Sequence, residues 1–381
     1  MKLLYAFPEP LPLPRARGIQ AVHALASLAA TGIDVFLAYV PVEKQSPFIP
    51  LGLDHIKGIE TLPISRSWPA PLNRIPPFCN WHSTRFFAKR LWHEVTQHKP
   101  DLLYIRHLKL AALAAGRPDL PPLIYEAHEV FADTASPAKQ QKMAALEQKV
   151  MANAEGIVCN SQATATRLVE RYGPPRRLLI LPNGVTPQPE PPEKPWADAG
   201  RHIVYAGSFF GWKGVNDLIL AAKYLPDYKL TLIGGDDKQI ERLRAMLDGQ
   251  GAEVELLPRL PQTEVARHLA NACIAVLPNR LEPDSTFTSP IKLFEYMAAG
   301  CAIVASDLPS LREILAEEDA AWFPPGDPTG LAVALRTLVL DPEHTRAMGR
   351  RLRAKSADYT WPARAAQLHA FLQDLLARRA S

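Results

Sequence analysis

At 381 residues, with 47% hydrophobic and 22% charged residues, the chain has room for two domains that each bury a core of their own. No apolar run approaches the roughly 20 residues of a membrane-spanning helix, and four widely spaced cysteines without a Cys-x-x-Cys indicate neither a disulfide framework nor zinc. The net charge of +4 divides unevenly: residues 1–185 hold 21 Lys+Arg against 14 Asp+Glu, and the remainder holds 22 against 25. A basic first half suits an anionic acceptor or an anionic membrane surface, while no basic repeat or RNA-binding signature points to nucleic acid. The simplest compartment is a reducing cytoplasm, with peripheral contact to the inner face of a membrane left open.

In chain order, short apolar runs alternate with longer helical patterns. Met1–Phe7 meets Pro8 too early for a signal-peptide apolar region, so Leu3–Phe7 reads as a first strand. Helix Ile19–Ala30 follows, then strands Val35–Val40, Leu102–Ile105 and Leu123–Tyr125, helix Ala138–Ala152, and strands Ile157–Cys159 and Leu178–Leu181. Residues 186–200, with five prolines, read as a linker. A second alternation has strands Ile203–Ala206, Leu230–Ile233, Val254–Leu257, Ile274–Leu277 and Ala302–Ala305, and an amphipathic helix, Tyr359–Leu376, closes the chain. Continuous apolar strands separated by helices mean parallel sheets covered on both faces. The expected fold class is α/β, with two facing Rossmann-like domains, 1–185 and 201–358, and the linker between them. Ligands of such sheets bind beyond the carboxyl ends of the strands.

Between 64 and 93, aromatic residues interleave with basic ones. Trp68 and Phe78 are membrane candidates there, whereas Phe87, Leu91 and Val95 follow the spacing of a core-facing helix.

The richest segment is T-S-P-I-K-L-F-E-Y-M-A-A-G, Thr288–Gly300. Ser289 and Pro290 read as N-cap and first helical residue, which leaves a turn of bare amides suited to an anion. Lys292 lies in that first turn and Glu295 about one turn deeper. A cation beside a phosphate and a carboxylate beside sugar hydroxyls would suit a nucleotide-sugar.

This segment resembles the donor-binding signature of family-4 glycosyltransferases, in the variant S-P-x-K-x-x-E-Y-M-A-x-G, and the resemblance extends over nearly the whole chain. It implies the GT-B architecture and retaining, metal-independent transfer of a hexosyl group from a nucleoside-diphosphate sugar, with no further cofactor. The acceptor would be a glycan or lipid-linked glycan in cell-surface polysaccharide or glycolipid biosynthesis. It also implies that Glu295 binds the ribose, that Thr288 and Ser289 sit beside the diphosphate, and that the last helix packs back on the first domain. The commoner pattern carries a second Glu at the position of Phe287, which bears on the choice of sugar. A catalytically silent binding scaffold and a nucleotide-sugar epimerase of the same fold are the alternatives.

The loop after Ile203–Ala206, G-S-F-F-G-W-K-G, is similar to the family's phosphate loop, with Lys213 and Gly214 matching and Ser208 standing where an arginine is usual. Loss of that arginine removes a bidentate phosphate contact, and Lys292 is the candidate to compensate. Trp212 could stack on the base or cap the loop. Arg259 and Leu260 fall where the resemblance places the nucleobase. On the acceptor side Gly18, just before the first helix, is implied to face the donor phosphate. His128, in E-A-H-E after Leu123–Tyr125, is implied to approach the transferred sugar. L-P-N-G-V, Leu181–Val185, reads as a structural turn.

Overall fold

The computed structural model describes residues 1–13, 15–42, 46–53, 56–64, 83–188, 194, 201–247, 253–282, 285, 287 and 289–380. Trp68 and Phe78, most of the expected linker, and Thr288 lie outside them. The chain forms two compact units, Met1–Pro182 with Trp361–Ser381, and Asn183–Thr360.

The first unit is built on a parallel sheet of seven strands: β1 (Lys2–Leu11), β2 (Asp34–Pro41), β3 (Ile59–Pro63), β4 (Leu102–Ile105), β5 (Leu123–Ala127), β6 (Gly156–Cys159) and β7 (Leu178–Ile180). Their spatial order is β3-β2-β1-β4-β5-β6-β7. The direction of winding reverses between β1 and β4, which places the sheet's switch point beside the carboxyl ends of those strands. Every residue of β4, β5 and β6 is buried, as expected for a sheet covered by helices on both faces. Helix Ala16–Ala29 packs on one face together with the last helix, Trp361–Ala380. Leu368, Leu372 and Leu375 of that last helix join the core formed by Leu3, Tyr5, Leu25 and Leu28.

The second unit has six parallel strands: β8 (His202–Ala206), β9 (Lys229–Gly235), β10 (Glu253–Pro258), β11 (Ile274–Leu277), β12 (Ala302–Ser306) and β13 (Ala321–Phe323). They lie in the order β10-β9-β8-β11-β12-β13, with the switch between β8 and β11. Val185 pairs with Thr360 inside this unit. Lys194 is buried there too, its ammonium donating to the carbonyl of Leu269 at 3.2 Å.

All eleven expected strands form, and so do the expected helices. β3 and β13 were not anticipated from the sequence. The first is short, polar and on an edge, with three of its five residues exposed or nearly so, and the second has three residues. Neither length nor pattern separates such pieces from loops. Phe87, Leu91 and Val95 are buried on the inner side of helix Ser83–His98, as their spacing predicts.

Candidate active site

In the second unit the site grows from the carboxyl end of β8. After Ala206 the chain turns through Gly207 and Ser208, and this turn packs so closely on the end of β9 that a Cβ on Gly234 would come within 2.4 Å of the Gly207 carbonyl oxygen. Helix Ile291–Ala298 is stitched to the same strand end. The Tyr296 hydroxyl accepts from the Ala206 amide at 2.8 Å and donates to the Ala206 carbonyl at 3.2 Å. The first helical amides therefore lie at a strand end, where α/β sheets collect ligands.

Lys292, the second residue of that helix, is 9% exposed. Its Nζ donates to the Tyr205 hydroxyl at 3.0 Å and sits 4.2 Å from the centre of the Tyr205 ring. Tyr205 in turn donates to the Ser208 carbonyl at 2.9 Å. Burial lowers the Lys292 ammonium to about 7, against the pull of Glu295, which favours the charge. An anion arriving beside it would restore full protonation.

The G-W-K-G loop is clamped from below. Gly214 has φ +69°, and a Cβ there would come within 1.6 Å of the Pro278 carbonyl oxygen, so no other residue fits. Arg280 donates its amide to the Trp212 carbonyl at 2.9 Å and grips buried Asp217 with two bonds of 2.6 and 2.8 Å. Lys213 is buried, its ammonium 3.5 Å from the centre of the Trp212 ring. Trp212 thus carries a cation on its face.

Glu295 lies one turn beyond Lys292 and accepts from Gln262 Nε2 at 3.2 Å. Burial pushes its carboxyl up, while Gln262 and Lys292 pull it down. Gln262 opens the helix that follows Arg259 and Leu260, so it links the segment expected to hold the base to the carboxylate expected to hold the ribose. Arg259 is exposed, and Leu260 packs half-buried on the unit's core.

Two expectations are corrected here and one in the first unit. Ser289 is not the N-cap. Pro290 takes that position with extended backbone, and the helix begins at Ile291. The Ser289 hydroxyl instead accepts from the Asn183 amide at 3.1 Å, and its carbonyl accepts from Asn183 Nδ2 at 2.6 Å. The P-N-G-V turn therefore fixes the entry to the helix, a role its Asn-Gly chemistry did not disclose. Phe287, in the place of the commoner glutamate, is buried.

Gly18 is the third correction. The first helix starts at Ala16, so Gly18 lies within its first turn and not in a loop. A Cβ there would come within 2.4 Å of the Leu13 carbonyl oxygen, so close packing against the preceding segment accounts for the glycine.

The rest of the first unit's set gathers at the ends of β4 and β5. Glu126 is fully buried and accepts from Arg364 Nη2 at 2.6 Å and from Gln20 Nε2 at 3.1 Å. His128 Nε2 lies 3.1 Å from the same carboxylate oxygen, and its side chain is 13% exposed. Arg106 donates to Gln20 Oε1 at 2.8 Å. Burial alone would raise the Glu126 carboxyl, but His128, Arg364 and Arg106 outweigh it and hold the group ionised. Burial and the charge of Arg106 lower His128 to about 4, against the attraction of Glu126. His128 is therefore a neutral imidazole at physiological pH, suited to hydrogen bonding and not to carrying charge. Arg364, from the last helix, is a member of this group that the sequence reading missed; only its place in an amphipathic pattern was visible.

Among the described residues no three His, Cys, Asp or Glu side chains converge as a metal site, and no helix is long and apolar enough to cross a membrane.

Residues 19–188 match the family model Glycosyltransferase Family 4, and residues 188–355 match Glycosyl transferases group 1. Among curated proteins, the amylovoran biosynthesis glycosyltransferase AmsK of Erwinia amylovora is 31% identical over 133 residues, 33% of this chain and 33% of that protein. The chain thus spans about a third of that relative's length. Among solved structures, sucrose-phosphate synthase from Thermosynechococcus elongatus superposes with a TM-score of 0.79 at 19% identity, covering 99% of each chain. HepE of Anabaena in complex with UDP superposes with a TM-score of 0.74 at 16% identity, covering 98% of this chain and 100% of that one. The two parallel-sheet domains and the two consecutive model matches agree: the chain belongs to the family-4, group 1 glycosyltransferases and carries the two Rossmann-like domains of the GT-B fold.

Proposed function

We propose that this glycosyltransferase moves a hexosyl group from a nucleoside-diphosphate sugar to a hydroxyl of a glycan or lipid-linked glycan, with retention and without a metal. The observation that carries the reading is Lys292, a buried lysine in the first turn of helix Ile291–Ala298, beside the glycine turn at the end of β8. When the glycosidic bond to the donor breaks, the diphosphate gains negative charge. Lys213, Lys292 and the helix amides stabilise that charge, and Gly214 holds Lys213 in place. Glu295, steadied by Gln262, binds the ribose hydroxyls, and Ser289 with Thr288 borders the phosphates. Arg259 and Leu260 border the base. His128, neutral and anchored by Glu126, hydrogen-bonds the transferred sugar.

HepE, a neighbour in fold, has been crystallised with UDP and with UDP-glucose, which makes a uridine donor the first to test. AmsK supports a role in polysaccharide assembly. The outward positions Arg85, Lys89 and Arg90 of helix Ser83–His98, within the basic first half, support peripheral contact with an anionic membrane on the cytoplasmic side.

A second reading, a silent nucleotide-sugar-binding scaffold, draws on Phe287 and Ser208. Slow hydrolysis of the donor in the absence of acceptor would exclude it. The assignment of Glu295 is tested by Glu295→Ala. Loss of two ribose hydrogen bonds should weaken nucleotide binding by about tenfold or more, with the melting temperature kept. Unchanged affinity by calorimetry would remove Glu295 from the site.

A further inference from the structure

We propose that Tyr205 is a positioning residue that holds Lys292 as the second diphosphate cation, replacing the arginine that Ser208 has displaced. The inference rests on the nucleotide-sugar reading above and specifies how this chain meets the donor's phosphates.

Tyr205 ends its side chain between two partners. Its hydroxyl donates to the Ser208 carbonyl at 2.9 Å and accepts from Lys292 Nζ at 3.0 Å. A phenol has one proton to give, so with Ser208 taking it, a lone pair is left for the ammonium. Burial raises the phenol well above its ordinary value, so it stays protonated and can fill both roles. The ring adds a second hold, with Nζ 4.2 Å from its centre. One residue of β8 thereby ties the turn where the arginine would stand to a cation from a different helix.

The space around the ammonium is kept clear. A Cβ on Gly207 would come within 2.6 Å of Lys292 Nζ and 3.0 Å of the Tyr205 hydroxyl. Glu295, on the same helix, favours the charge on Lys292 without bonding to it among the described residues. An ammonium has three donors. Among the described residues Tyr205 takes one. Lysine meets a phosphate as a point charge, whereas arginine meets it as a fork. The exchange therefore predicts a diphosphate site that depends on where Lys292 is held and not on the side chain at 208.

Calorimetric binding of UDP and UMP at pH 6.5 tests this (GDP and GMP if the wild type prefers guanosine). Tyr205→Phe should weaken UDP by about tenfold while leaving UMP within about twofold, because only the β-phosphate loses its cation. Lys292→Met should show the same split, larger. Adding Ser208→Arg to Lys292→Met should recover a good part of the UDP affinity. Unchanged UDP binding in Tyr205→Phe overturns the proposal. So does an equal loss of UDP and UMP, which would make Tyr205 a structural residue only, or a double variant no better than Lys292→Met. A wild-type protein that binds no nucleoside diphosphate would instead overturn the nucleotide-sugar reading, and this inference with it.

Discussion

Lys292 and His128 are both basic groups that burial has pushed toward neutrality, and they arrive there differently. Lys292, lowered to about 7, is drawn toward neutrality in the free protein and holds its proton firmly when an anion binds. His128, at about 4, stays neutral across the physiological range, so its function rests on hydrogen bonding. His128→Ala should therefore cut transfer by about a hundredfold while nucleotide affinity stays near that of the wild type. The wild-type rate should show no loss on acidification near pH 6.5, because the imidazole is already neutral there and charges only well below. A full rate in the alanine variant would remove His128 from the chemistry. Most of the candidate residues are named by the motifs together with the family resemblance those motifs carry. Their partners are not. Tyr205, Gln262, Asn183 and Arg364 lie 33 to 238 positions from the groups they touch, and no local pattern announces such contacts.

At the scale of elements, the last helix does more than close the core of the first unit. Arg364 is 4% exposed and supplies the counter-charge of Glu126, itself 2% exposed. The pair holds a carboxylate ionised in a place where burial alone would protonate it. Breaking such a pair by removing one partner is more damaging than never having built it. Arg364→Met should destabilise the protein by about 3 kcal/mol or more, as read from denaturant unfolding. The sign of the pH dependence follows. In the wild type the Glu126 carboxyl is held down, so its contribution is present above the unfolded value and is lost on acidification. Without the arginine the carboxyl rises, folding takes up a proton, and stability falls as pH increases. The gap between wild type and variant should widen from pH 5 to pH 8, and a gap independent of pH would show that Arg364 contributes packing alone.

Elements were legible to the degree that they were buried. The fully apolar strands β4, β6 and β11 stand out as uninterrupted hydrophobic runs, and β5 does so up to Glu126. The edge strand β3 carries polar residues at water-facing positions and reads as a loop. Ser289 before Pro290 suits an N-cap by residue type. The Asn183 backbone amide takes the Ser289 hydroxyl instead, from another part of the unit.

On the scale of the whole molecule, two domains, each with its own parallel sheet and switch point, could be read from strand–helix alternation and the proline-rich stretch between the halves. The donor base and sugar were not legible, because they depend on shape and on residues such as Phe287 and Ser208 that depart from the usual pattern. The central claim is that the intact chain binds a nucleoside-diphosphate sugar. Its most direct test is thermal shift of the purified protein against UDP, GDP and ADP, their monophosphates and their sugars, with chelator present. The account predicts a rise in melting temperature for one nucleotide family, with the diphosphate shifting more than its monophosphate. No shift for any nucleotide, at concentrations where the protein is folded and monodisperse, would contradict it.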